Sequence, residues 1–222
     1  MDKKVEQAVN AAVKSIRPAL GDTGIDFNTA VKDAFNADKP FLEKVAMLDV
    51  VFDDHADAEA LREVFFDLLL VNFFTEDVKK LEEDYLDSPE WEAIEEDTLD
   101  RGTELLNLLL YLRECEDEEI EPTLEDYLNE FLLVNDDEFQ DEHRIYEDII
   151  ANQILVESSY EEIAKVAGKL DESSEIGDLF YPIISFFHEL NPADEQIQNY
   201  AQNSRDREFD VPVYAALTAF NQ

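Results

Sequence analysis

The sequence predicts an all-α fold, a compact multi-helix domain spanning residues 1–222. Apolar residues recur every three or four positions along most of the chain, the spacing of one helix face, and they mark about ten helices of ordinary length. Gly and Pro together account for only 12 of the 222 residues, and no Asn-Gly or Asp-Gly hairpin signal occurs. Segments that alternate polar and apolar residues, as half-buried strands do, are scarce.

Apolar stripes predict the helices near the N-terminus. The segment from Gly21 to Gly24 separates the first helix from the next one. A further helix is predicted to begin at Pro40, because proline suits the first helical position. The stripes of the first helix and of the helix after Pro40 are Val5, Val9, Val13 and Ile16, and Phe41, Val45, Leu48 and Phe52.

Two central helices are apolar on nearly every side, which predicts that they are buried at the centre of the fold. The first contains Leu61, Phe65, Leu68 and Leu69, and the second runs through the leucines from Leu105 to Leu112. Two later stripes and an apolar final segment, 209–220, predict the C-terminal helices, and the final segment is expected to pack back on the body of the protein. These three apolar sets are Ile145, Tyr146, Ile149, Ile150 and Ile154; Leu179, Ile183, Phe187 and Leu190; and Val213, Leu217 and Phe220.

Capping residues predict several helix ends. Ser88 and Asn191 are each followed by proline, the pattern of a cap and a first helical position. Ser159 and Glu162 fit a capping box, in which each side chain accepts a hydrogen bond from an otherwise unpaired N–H group. Gly168 and Gly177 are interpreted as helix stops.

Two segments, 61–87 and 101–129, resemble each other weakly. Each contains an apolar helix, an acidic turn and then Glu-Asp-Tyr-Leu. The offset of about 40 residues is the period of HEAT or armadillo helix pairs. Two imperfect copies are fewer than the three that a solenoid needs, so shared composition of acidic, leucine-rich helices is the favoured explanation of the likeness. HEAT-like helix-pair packing therefore stays an alternative within the all-α class.

The charge is extreme and uneven. The chain has 56 Asp and Glu against 17 Lys and Arg, a formal net charge of −39. Residues 51–150 hold 35 acids and 6 bases, a net charge of −29, whereas residues 1–50 are nearly balanced at −1. This change marks a candidate subdomain edge near residue 50, but the apolar pattern continues through it and no linker-like segment divides the chain.

This composition argues against most enzyme classes and against several kinds of ligand. Direct binding to nucleic acid or to anionic lipid needs positive charge. The chain lacks Gly-rich phosphate-binding motifs, a Gly-x-Ser-x-Gly elbow and a Glu-x-x-His pair. Cys115 lies among carboxylates, which disfavour a reactive thiolate. We therefore expect no enzymatic activity, no catalytic residues, no cofactor and no specific metal site, although 53–57 and 136–143 are rich in candidate cation ligands.

The sequence also predicts a cytoplasmic protein without a membrane segment. Its single cysteine cannot form an internal disulfide, and its N-terminus lacks an apolar signal core. The longest apolar run, 64–74, reaches about half of the roughly 20 residues that a transmembrane helix requires.

The central acids are best explained by a partner. Carboxylates three and four residues apart on a helix repel each other, so stability does not account for them. Adaptation to salt would acidify the whole surface, yet residues 1–50 are balanced. We expect a regulatory or interaction protein that engages a basic protein surface, with imitation of a nucleic acid as the sharper version. The acids expected to bind the partner are Glu82, Glu83, Asp84, Glu95, Glu96, Asp97, Glu116, Glu118, Glu119, Asp136, Asp137 and Glu138.

Two other functions stay open. A HEAT-like scaffold would bind a peptide or helix in an apolar groove, and a helical enzyme would depend on a divalent cation. Three aromatic residues within the acidic stretches, Tyr85, Trp91 and Tyr127, are candidates for partner contacts, although core packing is the commoner role of such residues.

Overall fold

The computed structural model of the chain describes residues 1–21, 24–76, 83–131, 133–135, 138–139 and 145–222. These residues contain thirteen α-helices, ten of which have seven or more residues, so the all-α prediction is confirmed. The helices are α1 (Lys3–Leu20), α2 (Gly24–Asn36), α3 (Phe41–Asp53), α4 (Arg62–Glu76), α5 (Glu83–Leu86), α6 (Pro89–Asp97), α7 (Leu105–Asp117), α8 (Leu124–Asp126), α9 (Glu147–Ala151), α10 (Tyr160–Ala167), α11 (Gly177–His188), α12 (Asp194–Asn203) and α13 (Arg207–Phe220).

Short irregular elements join some of these helices. Two 3-10 turns cover Ala56–Leu61 and Gln153–Glu157, and a π-turn covers Tyr127–Phe131. Strands β1 (Leu133–Asn135) and β2 (Glu138–Phe139) pair antiparallel. Within the described residues, these two short strands form one small sheet, and the helical class is unchanged.

Helix α4 lies at the centre of the core, as its all-round apolar sequence predicts. Every residue from Val64 to Phe74 is buried, including the polar Asp67 and Asn72. Helix α7 packs against α4, and it buries Leu105, Leu108, Leu109, Tyr111 and Leu112 together with Cys115. Buried apolar side chains from Val5 to Phe220 belong to one continuous cluster.

The most extensive helix contact in the described part of the chain joins the first helix to the last. The stripe Val5, Val9, Val13 and Ile16 of α1 is buried, and so are Val213, Leu217 and Phe220 of α13. The prediction that the final segment packs back on the body is confirmed. In a solenoid each repeat contacts only its neighbours, so this contact between the chain ends gives the HEAT-like alternative no support.

A set of charged side chains fixes the loop between α6 and α7 to α3 and α4. The Arg101 guanidinium donates to both carboxylate oxygens of Glu63 at 3.0 Å and to Asp49 at 3.0 and 3.2 Å. The next residue, Gly102, has φ +88°, and a Cβ atom there would lie 2.7 Å from Oδ1 of Asp67. The loop therefore needs glycine at this position both for its conformation and for space.

The buried carboxylate of Asp67 is held by the same loop. It accepts hydrogen bonds from the Thr103 backbone N–H at 3.0 Å and from the Thr103 hydroxyl at 2.5 Å. Burial raises the pKa of Asp67 well above its usual range. This polar group is tolerated in an apolar helix because its hydrogen bonds are satisfied.

The predicted helix ends are right in part. Ser88 caps α6, and Ser159 with Glu162 forms the predicted capping box of α10. Gly168 ends α10 as expected, but Gly177 begins α11, because the intervening segment forms turns and leaves no helix to stop. Pro40 is the cap residue that precedes α3 and not its first residue.

Two further predictions about the helices need correction. Helix α12 begins at Asp194 and not at the predicted Asn191–Pro192 pair, and Gln196 accepts a hydrogen bond from the Ala193 N–H at its start. The predicted stripe through Ile154 is interrupted, because α9 ends at Ala151 and a 3-10 turn follows. Helix α3 runs unbroken through residue 50, where the charge changes.

Candidate functional site

The structure describes half of the predicted acidic positions in full. Glu95, Glu96 and Asp97 are exposed at the C-terminal end of α6, and Glu116, Glu118 and Glu119 are exposed at the end of α7. Glu83 and Asp84 begin α5, and Glu138 lies in β2. The remaining positions, Glu82, Asp136 and Asp137, lie outside the described residues.

Both described clusters occupy a helix end that disfavours them. The C-terminus of a helix carries a partial negative charge, which repels carboxylates and attracts cations. Nevertheless α6 ends in Glu-Glu-Asp, and the last turn of α7 contains Glu114, Glu116 and Asp117 with no basic residue. Apart from Glu116, these acids therefore cost stability at the positions that they occupy.

Glu116 differs from its neighbours because it has basic partners. The Arg113 guanidinium donates to it at 3.0 Å, and the Lys4 ammonium of α1 lies 3.4 Å from it. Glu116 therefore helps to hold α7 against α1, a structural role that its sequence did not indicate. Glu118 and Glu119 are not among the acids in the eleven ion pairs that the structure describes.

The acidic end of α7 leads directly into a surface groove of about 590 Å³. Three chain segments enclose it, which are residues 121–125 after α7, residues 153–157 after α9, and residues 187–191 at the end of α11. Its apolar lining consists of Pro122, Leu124, Ile154, Val156, Phe187 and Leu190. Its acidic lining consists of Glu121, Glu125, Glu157 and Glu189.

The first wall of the groove is fixed by the way α7 ends. The Ile120 N–H donates to the Cys115 carbonyl and the Glu119 N–H donates to the Glu116 carbonyl, which together form a Schellman motif. The Tyr111 hydroxyl then accepts from the Thr123 N–H at 3.0 Å and donates to the Thr123 carbonyl at 3.1 Å. These bonds hold the acidic loop back against its own helix.

The other two walls are joined by His188. Because a carbonyl only accepts, the His188 Nδ1–H donates to the Val156 carbonyl across 2.9 Å. The carboxylate of Glu189 accepts from the Asn191 N–H at 3.2 Å and from the Gln196 side chain at 2.7 Å. The Tyr214 hydroxyl of α13 donates to the Glu189 carbonyl at 3.3 Å. The groove is therefore built on ordered backbone.

Ile154 is the residue whose placement the sequence misjudged most. Its position in the apolar stripe predicts burial, but its side chain is 70% exposed in the groove. A strict helical period from Ile150 would have placed it in the core, and the 3-10 turn rotates it outward. The polar pair Asn152-Gln153 was the available sign that the helix ends.

The three candidate aromatic residues belong to the core. Tyr127 is fully buried, and the half-buried Tyr85 and Trp91 pack against the hydrophobic core. The Trp91 ring lies 5.2 Å from that of Phe74 and 6.3 Å from that of Tyr85. Their aromatic surfaces therefore contribute to folding.

Two of the groups considered for catalysis or metal binding, Cys115 and Asp53, have structural surroundings of their own. Cys115 is buried, and burial, with a smaller contribution from Glu114, Asp126 and Glu118, raises the pKa of its thiol. Asp53, in the first candidate cation segment, pairs with Arg62 at 2.7 Å. Within the described ranges, His, Cys, Asp and Glu do not gather in threes as metal ligands would. The second candidate segment, 136–143, falls almost wholly outside those ranges.

No helix of the described chain is long and apolar enough to cross a bilayer. Comparison with known proteins finds no matching family model, no matching curated protein and no matching solved structure.

Proposed function

We propose that this protein is a non-enzymatic, acidic interaction or regulatory protein that engages a basic surface on a protein partner. The observation that carries the proposal is the exposed carboxylate clusters at the ends of α6 and α7. Apart from Glu116, which pairs with Arg113 and Lys4, they occupy positions where the helix dipole and their own repulsion make them unfavourable. A basic partner would neutralise them and would be steered toward them before contact.

The distribution of ion pairs supports the proposal. The eleven ion pairs that the structure describes all involve residues between Asp2 and Glu116. They include the ion pairs that Arg62 and Arg101 form, so acids of the N-terminal half help to stabilise the fold. The exposed Glu118, Glu119 and Glu121 belong to none of these described pairs. A net charge of −39 also far exceeds the magnitude of about 2–8 that keeps a small domain in solution.

The partner class follows from the sign of the charge. Nucleic acid phosphates and anionic lipids would be repelled, so a protein with a lysine- and arginine-rich surface is the expected partner. A more specific form of this proposal is imitation of a nucleic acid, in which the partner is itself a nucleic-acid-binding protein. The free and buried state of Cys115 supports a reducing, cytoplasmic setting.

The test is capture of partners from cell lysate at low and at high salt. We expect captured proteins that are basic and are released as salt rises, because screening weakens contacts between exposed charges. Changing the α6 cluster by Glu95→Gln, Glu96→Gln and Asp97→Asn should reduce capture.

The matched control changes three acids of the nearly neutral N-terminal part, Asp26→Asn, Asp33→Asn and Asp38→Asn. It removes the same charge and should leave capture unchanged. Equal loss from both triples would mean that only net charge matters, and partners retained at high salt would contradict acidic recognition.

A further inference from the structure

We propose that the groove formed by residues 121–125, 153–157 and 187–191 binds a basic amphipathic segment of a partner protein. Such a segment presents one or two apolar side chains between lysines and arginines. The inference rests on the proposed function, since it names the partner's chemistry at one part of the acidic surface. It adds an apolar anchor to what charge alone would provide.

The apolar part of the groove is accessible. Ile154 is 70% exposed, and the half-buried Val156, Phe187 and Leu190 line the groove around it. An exposed isoleucine beside three further apolar side chains offers a recess where a partner's side chain can leave water. Binding hot spots are of this kind, an apolar anchor within a surround that excludes water.

The acidic residues at the rim of the groove determine that its ligand is positively charged. Of the fourteen described residues that line it, four are glutamates and one is histidine, and none is lysine or arginine. Glu121, Glu125 and Glu157 are exposed, and none is among the acids in the described ion pairs. Their charge is therefore available to a ligand, and an acidic or phosphorylated segment would be rejected. The exposed Glu118 and Glu119 precede this rim and extend the acidic surface beyond it.

A basic amphipathic segment satisfies both parts of the site at once. Its apolar side chains would enter beside Ile154, and its cationic side chains would reach the glutamates on either side. Helices that bind in grooves use this arrangement, with anchors three or four residues apart. A purely basic surface would leave the apolar recess exposed, and a purely apolar one would leave the carboxylates unpaired.

The probe for the test is a fluorescent peptide of about fourteen residues, with leucine at helical spacing and lysine elsewhere. A second peptide has serine in place of every leucine, and a third has serine in place of every lysine. Fluorescence anisotropy at 150 mM NaCl measures the affinity of each one. We expect the leucine–lysine peptide to bind at least tenfold more tightly than either of the others.

Substitutions then locate the site. Ile154→Ser should weaken the leucine–lysine peptide about fivefold, as loss of an apolar anchor does. Leu99→Ser is the matched control, since Leu99 is 78% exposed on the loop after α6 and should be neutral. The rim triple Glu121→Gln, Glu125→Gln and Glu157→Gln should slow association and flatten the salt dependence. The α6 triple removes equal charge elsewhere and should do so much less.

The outcomes separate this inference from the proposed function. Equal binding of the leucine–lysine and serine–lysine peptides, unaffected by Ile154→Ser, would overturn the groove and leave acidic recognition standing. Absence of peptide binding would also overturn the groove, whereas capture of basic proteins through α6 is measured independently. Equal loss from Ile154→Ser and Leu99→Ser would show that the contact is not localised, which again rejects the groove.

Discussion

Glu119 follows the last turn of α7 and has φ +56°, a left-handed conformation that glycine adopts more readily. It is the residue after the helix cap in the Schellman motif, where glycine is the usual choice. Replacing it with glycine removes the Cβ clash of this conformation, which costs an L-residue roughly 1–2 kcal/mol. The extra freedom of the unfolded chain offsets part of that gain.

We therefore expect Glu119→Gly to raise the free energy of unfolding by about 0.5–1 kcal/mol, measured by urea denaturation. Glu119→Gln is the control, because it removes the same charge and keeps the Cβ atom. If the two variants are equally stable, the gain comes from charge and the backbone carries no strain.

Asp210 is buried in α13 and accepts a hydrogen bond from the Ser204 hydroxyl at 2.7 Å. Burial raises the pKa of Asp210 to about 6, above the value of 3.8 in an unfolded chain. The native state therefore holds this proton more tightly, and the stability that Asp210 contributes is lost as the pH rises from about 4 to about 6. Above that range its charge is buried and costs stability.

Asp210→Asn keeps the shape and the acceptor but removes the charge. We expect it to be more stable than the natural protein at pH 8, and this advantage should shrink by on the order of 2 kcal/mol at pH 4.5. Ser204→Ala supplies the opposite change, since the ionised carboxylate then loses its donor. It should destabilise more at pH 8 than at pH 4.5, and a gain from Asp210→Asn that is constant with pH would contradict the assignment.

The loop between α6 and α7 depends on one guanidinium that bridges two other helices. Arg101 contacts Asp49 of α3 and Glu63 of α4, and it lies 4.9 Å above the ring of Phe66. Lysine keeps the charge but cannot form paired bonds in two directions or stack in the same way. Arg101→Lys should therefore lower the free energy of unfolding by about 1–2 kcal/mol.

The matched control is Arg113→Lys, because Arg113 has one short bond, to Glu116 at 3.0 Å, and lies 3.8 Å from Asp2. It should cost less than about 0.5 kcal/mol, as a single exposed pair does. Chemical denaturation of both variants measures the difference. Equal losses of stability in the two variants would mean that the bridging geometry of Arg101 contributes nothing beyond what a lysine provides at that position.

The apolar patterns of several elements were predicted correctly from sequence because burial follows helical period. Helices α1, α4, α7 and α13 bury the stripes that their spacing predicts. Caps at Ser88 and Ser159 were equally legible, since capping is a local interaction between residues three positions apart. The stripe through Ile154 was wrong because the chain changes from an α-helix to a 3-10 turn at residue 153.

At the scale of the whole molecule, charge repulsion is the dominant electrostatic feature. Eleven described ion pairs stand against a net charge of −39. Salt weakens both the attraction within ion pairs and the repulsion between carboxylates. Because unpaired carboxylates outnumber the ion pairs, the loss of repulsion is the larger effect. The melting temperature should therefore rise between 10 and 300 mM NaCl, as the screening length falls from about 30 Å to below about 8 Å.

Differential scanning calorimetry across that range checks the expectation, and the α6 triple that removes three carboxylates should have a smaller slope. A melting temperature that is flat or falls with salt would show that the acids are already compensated, and the argument from unfavourable charge would fail.

The sequence by itself determined the helical class, the buried faces of the main helices and the excess of acid in residues 51–150. These features depend on residue type and on neighbours within one or two helical turns, so they can be predicted without knowledge of the fold. From the same local density of charge the sequence also predicted that twelve acids between Glu82 and Glu138 bind a partner, and this stays a prediction.

Only the tertiary structure decided which acids support the fold and where the chain leaves a groove. Glu116 pairs with Lys4, and Glu63 and Asp49 pair with Arg101. In each case the fold brings together residues that are distant in the chain. The groove arises where three segments, 121–125, 153–157 and 187–191, come together. Contacts over such separations are set by how α1, α3, α4 and α7 pack against one another, and no periodicity within one helix encodes them.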